Sequence, residues 1–148
     1  MLGLIATVFN MPIDEIKRKI DRLSAYLNEL KPHLELADKV ILADQMKLRN
    51  LERLFQLIVD EAVDINSMLA TDSSLESPES YRSTFYSLVN LKIIDENFAD
   101  KISQSAKLRN QVVHEYEQLK PSEVVRGVKF QFPLFREYLT ILINKFIG

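Results

Sequence analysis

The feature that most constrains the fold is the spacing of apolar residues, which recur every three or four positions along almost the whole chain. The clearest example lies in the middle of the chain, where charged residues such as Arg49, Arg53, Asp60 and Asp64 fall mostly outside the apolar positions. Its apolar stripe consists of Leu51, Leu54, Phe55, Ile58, Ala62, Ile65 and Leu69. This spacing predicts an amphipathic helix with one buried face, and the two-residue alternation typical of strands is hard to find.

The same spacing predicts a first helix that follows Asn10 and Pro12, which together form a helix-start signal, and that ends at Pro32. Its apolar stripe consists of Ile13, Ile16, Ile20, Leu23, Leu27 and Leu30. Residues 71 to 79 are polar turn formers and predict a loop, after which Ser77 or Ser80 caps a short helix.

Two more helices are predicted in the second half of the chain. Asp95 begins one that we expect to reach about Tyr116, and Ser122 caps a C-terminal helix in which Pro133 should cause a kink or a break. Five helices with short connections predict an all-α bundle. A length of 148 residues fits one domain, with residues 1 to 11 as a disordered or peripheral leader.

Composition excludes several kinds of site. There is no cysteine, which rules out disulfides, thiolate metal sites and a cysteine nucleophile. Two histidines are too few for a protein-only zinc site, so we expect neither a metal nor a cofactor. The apolar residues 1 to 10 have no basic region before them and are too few to span a membrane, so we expect a cytoplasmic protein. A net charge of −2 means that any nucleic-acid site must be local.

Arg109 departs from the helical pattern, because it falls at the centre of the apolar face of its predicted helix. A buried guanidinium needs an anionic partner or a wet cleft. The ordinary explanation is an ion pair with Asp60, Glu61 or Asp64, in which case the chain is a plain structural bundle. Asn110 and His114 lie four residues apart and share one edge of the helix. At about 100° per residue, Arg109 and His114 are about 140° apart, so either the helix deforms or a second copy completes the site, and we therefore predict a dimer.

Residues 109 to 116 contain a short polar pattern. Arg109 is followed directly by Asn110, then after four intervening residues by His114, and two residues later by Tyr116. This pattern resembles the signature of the HepT-like HEPN ribonuclease toxins. The similarity covers about residues 12 to 147 and includes the all-helical character, the length and the position of the pattern on the penultimate major helix. One departure from the family pattern is Glu115, at a position where such proteins often carry a small residue. An acid at this position repels a phosphate.

The resemblance implies a HEPN-type bundle and a metal-independent endoribonuclease, built as a homodimer that brings two copies of the pattern into one cleft. It implies that His114 acts as general acid or base, that Arg109 stabilises the phosphorane and that Asn110 orients the phosphate or the imidazole. It also implies an MntA-like minimal nucleotidyltransferase as antitoxin, which transfers AMP to Tyr116. The alternative is a non-catalytic helical module that binds a nucleotidyltransferase or a nucleotide.

Overall fold

The fold was obtained as a computed structural model that describes residues 13–72, 80–114 and 119–148, and within these ranges all regular structure is helical. The helices are α1 (Ile13–Leu34), α2 (Asp38–Ala43), α3 (Gln45–Asp72), α4 (Tyr81–Asn90), α5 (Glu96–Ile102), α6 (Gln104–Val113) and α7 (Pro121–Phe146). The all-α prediction is confirmed. The number of helices is not: the described ranges hold seven segments, or six if α5 and α6 count as one interrupted helix, where five were predicted.

The helix predicted from Asp95 to Tyr116 begins as expected but is interrupted and ends early. Asp95 caps α5 by accepting a hydrogen bond from the backbone of Phe98 at 2.8 Å. Ser103 then lies in a turn between α5 and α6, and its hydroxyl donates to the carbonyl of Asp100 at 3.4 Å. Serine hydroxyls compete with the backbone for such acceptors, which weakens a helix at that point.

Proline has less effect than the sequence analysis predicted. Pro32 and Pro133 both lie inside helices, so α1 does not end at Pro32 and α7 is not broken at Pro133. A proline removes one backbone donor, and the buried residues on both sides of Pro133 keep the rest of α7 in place. Ser122 is not the cap of α7 either, because Lys120 occupies that position and Pro121 is the first helical residue, where its fixed backbone angle suits a helix start. Asn10, Pro12 and Ser77 lie outside the described residues.

The core forms around α3, which packs against α1, α2, α4, α6 and α7. All seven residues of its predicted apolar stripe are buried. In this core, Phe135 of α7 contacts Phe55 of α3 and Phe85 of α4. Tyr138 of α7 contacts both Phe85 and Phe135. These rings pack edge to face with centroids 6.1 to 6.5 Å apart, an arrangement that aromatic pairs favour.

A chain of polar groups crosses this apolar core, and its members were not predicted from the sequence. The hydroxyl of Tyr138 donates to the side-chain oxygen of Asn66 at 2.6 Å, and the Asn66 amide donates to the Thr84 hydroxyl at 3.1 Å. The Thr84 hydroxyl in turn donates to the carbonyl of Tyr81 at 2.7 Å. Burial, together with the negative charge of Glu61, raises the pKa of Tyr138 well above its usual value. These bonds connect α7, α3 and α4.

We expect Tyr138→Phe to lower the free energy of unfolding by about 1–2 kcal/mol, because it leaves the side-chain oxygen of Asn66 buried without that donor. Tyr86→Phe is the matched control: it removes a hydroxyl that donates to Asp100 at 2.5 Å in an exposed position, where water replaces the bond. Urea denaturation of both variants measures the difference. Equal losses of stability would show that the polar chain does not stabilise the core.

Candidate active site

Arg109 projects from α6 toward α3 and forms a two-point ion pair with Asp60. Its Nε donates to Oδ1 of Asp60 at 2.9 Å and its Nη2 donates to Oδ2 at 3.4 Å. The exposed fraction is 16% for the Arg109 side chain and 31% for Asp60, so the pair is partly shielded from water. Of the three carboxylates that the sequence offered as partners, Asp60 makes the contact. Parallel N–H···O bonds fix the guanidinium in direction as well as position.

Tyr81 adds an aromatic surface to this pair. The central carbon of the Arg109 guanidinium lies 4.9 Å from the centroid of the Tyr81 ring, which is a cation–π contact. Tyr81 is the first residue of α4, and the start of α4 is fixed by reciprocal hydrogen bonds between Ser80 and Ser83. Ser80 therefore caps α4 as predicted.

The electrostatics of Tyr81 reflect its neighbours. Burial and the negative charge of Asp60 raise the pKa of Tyr81 above its usual value, and the Arg109 charge opposes this shift. The contact of Tyr81 with Arg109 was not predicted from the sequence. No local signal could reveal that contact, because it depends on how α4 and α6 pack against α3.

Asp60 binds the Nε and Nη2 edge of the Arg109 guanidinium, and Nη1 points toward Asn110. There Nη1 of Arg109 donates to the side-chain oxygen of Asn110 at 3.3 Å. The structure therefore brings the side chains of Arg109 and Asn110 together, and Asn110 is exposed. A phosphate that approached from the Asn110 side would meet a cation whose orientation is already fixed by Asp60 and Tyr81.

His114 is not on the helix. The helix α6 ends at Val113, and His114 follows as its C-terminal cap with extended backbone angles (φ −101°, ψ 91°), while its N–H donates to the carbonyl of Asn110 at 2.9 Å. Val112 and Val113 are β-branched, which lowers helix propensity at this end. The predicted separation of about 140° assumed a continuous helix, so it no longer supplies a reason for a second subunit.

The remaining predicted residues divide into two groups. His114 is exposed, as is Asn110, with which it shares the last backbone bond of α6. Glu115 and Tyr116 lie outside the described residues, so the role of Tyr116 as AMP acceptor stays a prediction.

Within the described ranges, no group of three or more His, Cys, Asp or Glu side chains could hold a metal ion. None of the described helices is both long and apolar enough to cross a membrane.

We expect Asp60→Asn to lower the free energy of unfolding by about 1–2 kcal/mol, because it leaves a partly buried guanidinium without its counter-charge. It should also lower the pKa of Tyr81, since the negative charge that raises it is gone. The matched control is Asp64→Asn, whose side chain is 65% exposed and pairs with Lys19. Lys19 keeps Glu61 as a second partner at 3.7 Å, so this change should lower the free energy of unfolding by less than about 0.5 kcal/mol.

Urea denaturation gives the two stabilities, and carbon NMR of labelled tyrosine rings follows the titration of Tyr81. The account of Arg109 fails if the two variants lose equal stability, or if the pKa of Tyr81 rises or stays unchanged in Asp60→Asn.

Most of the chain is similar to a known protein family and to known nucleases. The family model described as Ribonuclease HepT-like matches residues 16–142. A tRNA nuclease HepT of Aphanizomenon flos-aquae is 33% identical over 127 residues, which cover 81% of this chain and 84% of that protein. An mRNA nuclease HepT of Shewanella oneidensis is 29% identical over 133 residues, which cover 88% of this chain and 92% of that protein.

Solved structures show the same fold. A tri-AMPylated HEPN toxin of Shewanella oneidensis, solved in complex with an MNT antitoxin, superposes with a TM-score of 0.78 at 20% identity, covering 87% of this chain and 96% of that one. The cytosolic protein YutE of Bacillus subtilis, of unknown function, superposes with a TM-score of 0.76 at 15% identity and 90% coverage of both chains. The fold and the family match agree with the resemblance carried by residues 109 to 116: the chain belongs to the HepT-like ribonuclease family.

Proposed function

We propose that this chain is a metal-independent endoribonuclease toxin whose chemistry is carried by Arg109, Asn110 and His114. The observation that carries the proposal is the orientation of Arg109, which Asp60 and Tyr81 hold with its Nη1 end toward Asn110, in a member of a ribonuclease family. One curated relative is named for tRNA and another for mRNA, so the proposal specifies RNA and not a class of RNA.

The proposed reaction uses the 2′-hydroxyl of the substrate as nucleophile. Its oxygen attacks the adjacent phosphorus, the bond from phosphorus to the 5′ oxygen breaks, and a 2′,3′-cyclic phosphate and a 5′-hydroxyl result. His114 takes the proton from the 2′-hydroxyl or supplies one to the leaving 5′ oxygen, and solvent water exchanges the other proton. Arg109 stabilises the extra negative charge on the phosphorane through the Nη1 end, which Asp60 does not occupy. Asn110 orients the phosphate or the imidazole.

The proposal includes control by a nucleotidyltransferase antitoxin that adds AMP to Tyr116. It is supported by the family match and by the similar fold of a HEPN toxin that was solved AMPylated and bound to an MNT antitoxin. Tyr116 follows His114 by two residues in the sequence, so we expect a nucleotide attached there to bring a phosphate near the proposed site. That anion would compete with RNA for Arg109.

Two further parts of the proposal concern assembly and location. We expect a homodimer, on the ground of the family resemblance alone, and sedimentation equilibrium that gives only monomer at micromolar concentration would contradict it. We also expect the protein to act in the cytoplasm, where its RNA substrates are.

The proposal predicts that the purified chain cleaves RNA in the presence of EDTA. His114→Ala and Arg109→Ala should each lower the rate at least about 100-fold, because each removes a group that acts in the transition state. The matched control is Arg136→Ala, an exposed cation on α7 that stacks on Phe132 and should leave the rate unchanged. If the wild-type chain leaves RNA uncut but binds a nucleotidyltransferase or ATP, the non-catalytic module is correct instead.

A second prediction concerns Tyr116. Intact-mass measurement after co-expression with a nucleotidyltransferase antitoxin should show the addition of one or more AMP groups, and the modified protein should have lost ribonuclease activity. Tyr116→Phe should abolish the addition. AMP that maps to a different residue, or modified protein that is fully active, would overturn this part of the proposal.

A further inference from the structure

A second candidate binding site lies on another side of α6. A cleft of about 630 Å³ opens between α6 and α7, with Arg82 of α4 at its margin. Three cationic side chains line it, from Arg82, Lys107 and Arg126, whereas Glu123 is the one acid among the described lining residues. In a chain with a net charge of −2, this is a local excess of positive charge. It has the sign that phosphate groups require.

An aromatic ring stands beside these cations. Phe130 lines the cleft and is 56% exposed, although large apolar side chains are usually buried when a core can take them. The preceding turn of α7 contains Gly127, where a Cβ atom would lie 2.7 Å from Cδ2 of Leu108. The glycine therefore allows α7 to approach α6 closely below the cleft. The close approach and the outward-facing ring belong to one stretch of α7.

A buried amide with unused hydrogen-bonding capacity also lines the cleft. Gln131 is only 3% exposed, and its Nε2 donates to the carbonyl of Lys101 at 3.0 Å, which fixes the orientation of the amide. Its Oε1 has no hydrogen-bond partner within the described part of the chain. A buried acceptor without a partner is costly, and this one belongs to a residue that lines the cleft.

The position of the cleft links it to His114. Lys107 and Gln111 line it from the side of α6 that is turned away from Arg109, since Gln111 lies about 200° from Arg109 on the helix. Gln111 precedes His114 by three residues and lies in the last turn of α6, directly before the C-terminal cap that His114 forms. Leu119, where the described chain resumes after His114, lines the cleft as well. The cleft therefore borders the end of α6 at which the proposed general acid or base is found.

From these observations we propose that the cleft binds an unpaired stretch of the RNA substrate, with one base stacked on Phe130 and the backbone phosphates on Arg126 and Lys107. This inference rests on the proposed function and adds to it a substrate class. Exposed aromatic rings next to cations bind single strands, because every base offers a flat face and every linkage a charge. Bases inside a duplex are stacked on one another and cannot reach the ring, so paired RNA is excluded from this site.

The inference can be tested by fluorescence anisotropy with His114→Ala protein, which should bind RNA without cutting it. The probes are a labelled unpaired oligonucleotide and the same oligonucleotide annealed to its complement as a blunt-ended duplex. Phe130→Ala should weaken binding of the unpaired probe by roughly 5- to 150-fold, the range for loss of one base-stacking contact. Arg126→Ala should weaken binding and reduce the slope against salt concentration by about one. The duplex should bind weakly to all forms.

Matched controls separate the cleft from general effects. Met46→Ala removes a side chain that is 70% exposed and lies outside the cleft, and Arg18→Ala makes the same change in net charge as Arg126→Ala. The control Arg18→Ala lies on α1. Met46→Ala and Arg18→Ala should both leave the affinity for the unpaired probe nearly unchanged. In the active protein, Phe130→Ala should raise KM for unpaired RNA while kcat stays close to the wild-type value, because Phe130 binds substrate away from the reacting atoms.

The outcomes distinguish this inference from the proposed function. If the wild type cleaves RNA, but the Phe130 and Arg126 variants match their controls in both affinity and KM, the cleft is not the RNA site and the proposed function stands. Equal binding of the unpaired probe and the duplex also overturns the inference. So does loss of antitoxin binding in these variants with unchanged RNA binding, which would assign the cleft to a protein partner. A wild-type chain that neither binds nor cuts RNA overturns both proposals.

Discussion

The ion pair between Arg109 and Asp60 is the constraint on which the arrangement of the candidate site depends. A guanidinium on the inward face of a short helix is costly unless an acid neutralises it, and Asp60 of α3 does so at two points. The pair fixes how α6 sits against α3. Because Tyr81 lies under the same guanidinium, it also connects the start of α4 to this contact. Three helices thus meet at one cation.

The ion pair also shows that a structural and a functional explanation of Arg109 are compatible. Asp60 binds the Nε and Nη2 side of the guanidinium, while Nη1 is directed to Asn110. An arginine held in this way loses little conformational entropy when it binds a phosphate, since its rotamer is already fixed. The ion pair that stabilises the bundle therefore also orients the proposed catalytic arginine. This fits a chain that belongs to a ribonuclease family.

The ten residues of α6 carry most of what distinguishes this chain from a plain helical bundle. One side presents Arg109 to α3, another presents Lys107 and Gln111 to the basic cleft, and the C-terminal end presents His114. A short helix can hold such different groups because few of its apolar residues are buried: Ala106 and Leu108 are its buried apolar positions. This short helix packs against the long helices α3 and α7 and against α4.

The sequence predicted the parts of the fold that depend on local periodicity. The buried stripes of α1 and α3, the caps at Ser80 and Asp95 and the inward position of Arg109 follow from spacing and residue type alone. It did not predict the chain of bonds from Tyr138 through Asn66 to Thr84, because these residues are distant in sequence and meet only through packing. It overestimated Pro133, since tertiary packing outweighs one lost backbone bond. The sequence also predicted that the helix continues through His114, because apolar periodicity does not show where a helix ends.

For the candidate site, the sequence supplied the residue types and the structure supplied their partners. Spacing alone offered three acids for Arg109, and only packing selects Asp60. The basic cleft was not predicted at all, because Arg82, Lys107 and Arg126 come from three helices and do not form a run of charge in the sequence.

The central claim is that His114 and Arg109 promote attack by the 2′-hydroxyl of RNA on its own phosphodiester. Mass spectrometry of the ends of RNA fragments, produced by the purified chain in EDTA, tests it most directly. The account predicts a 2′,3′-cyclic phosphate on one fragment and a 5′-hydroxyl on the other. Fragments that carry a 3′-hydroxyl and a 5′-phosphate would contradict it, because water would then be the nucleophile and the roles given to these two residues would be wrong.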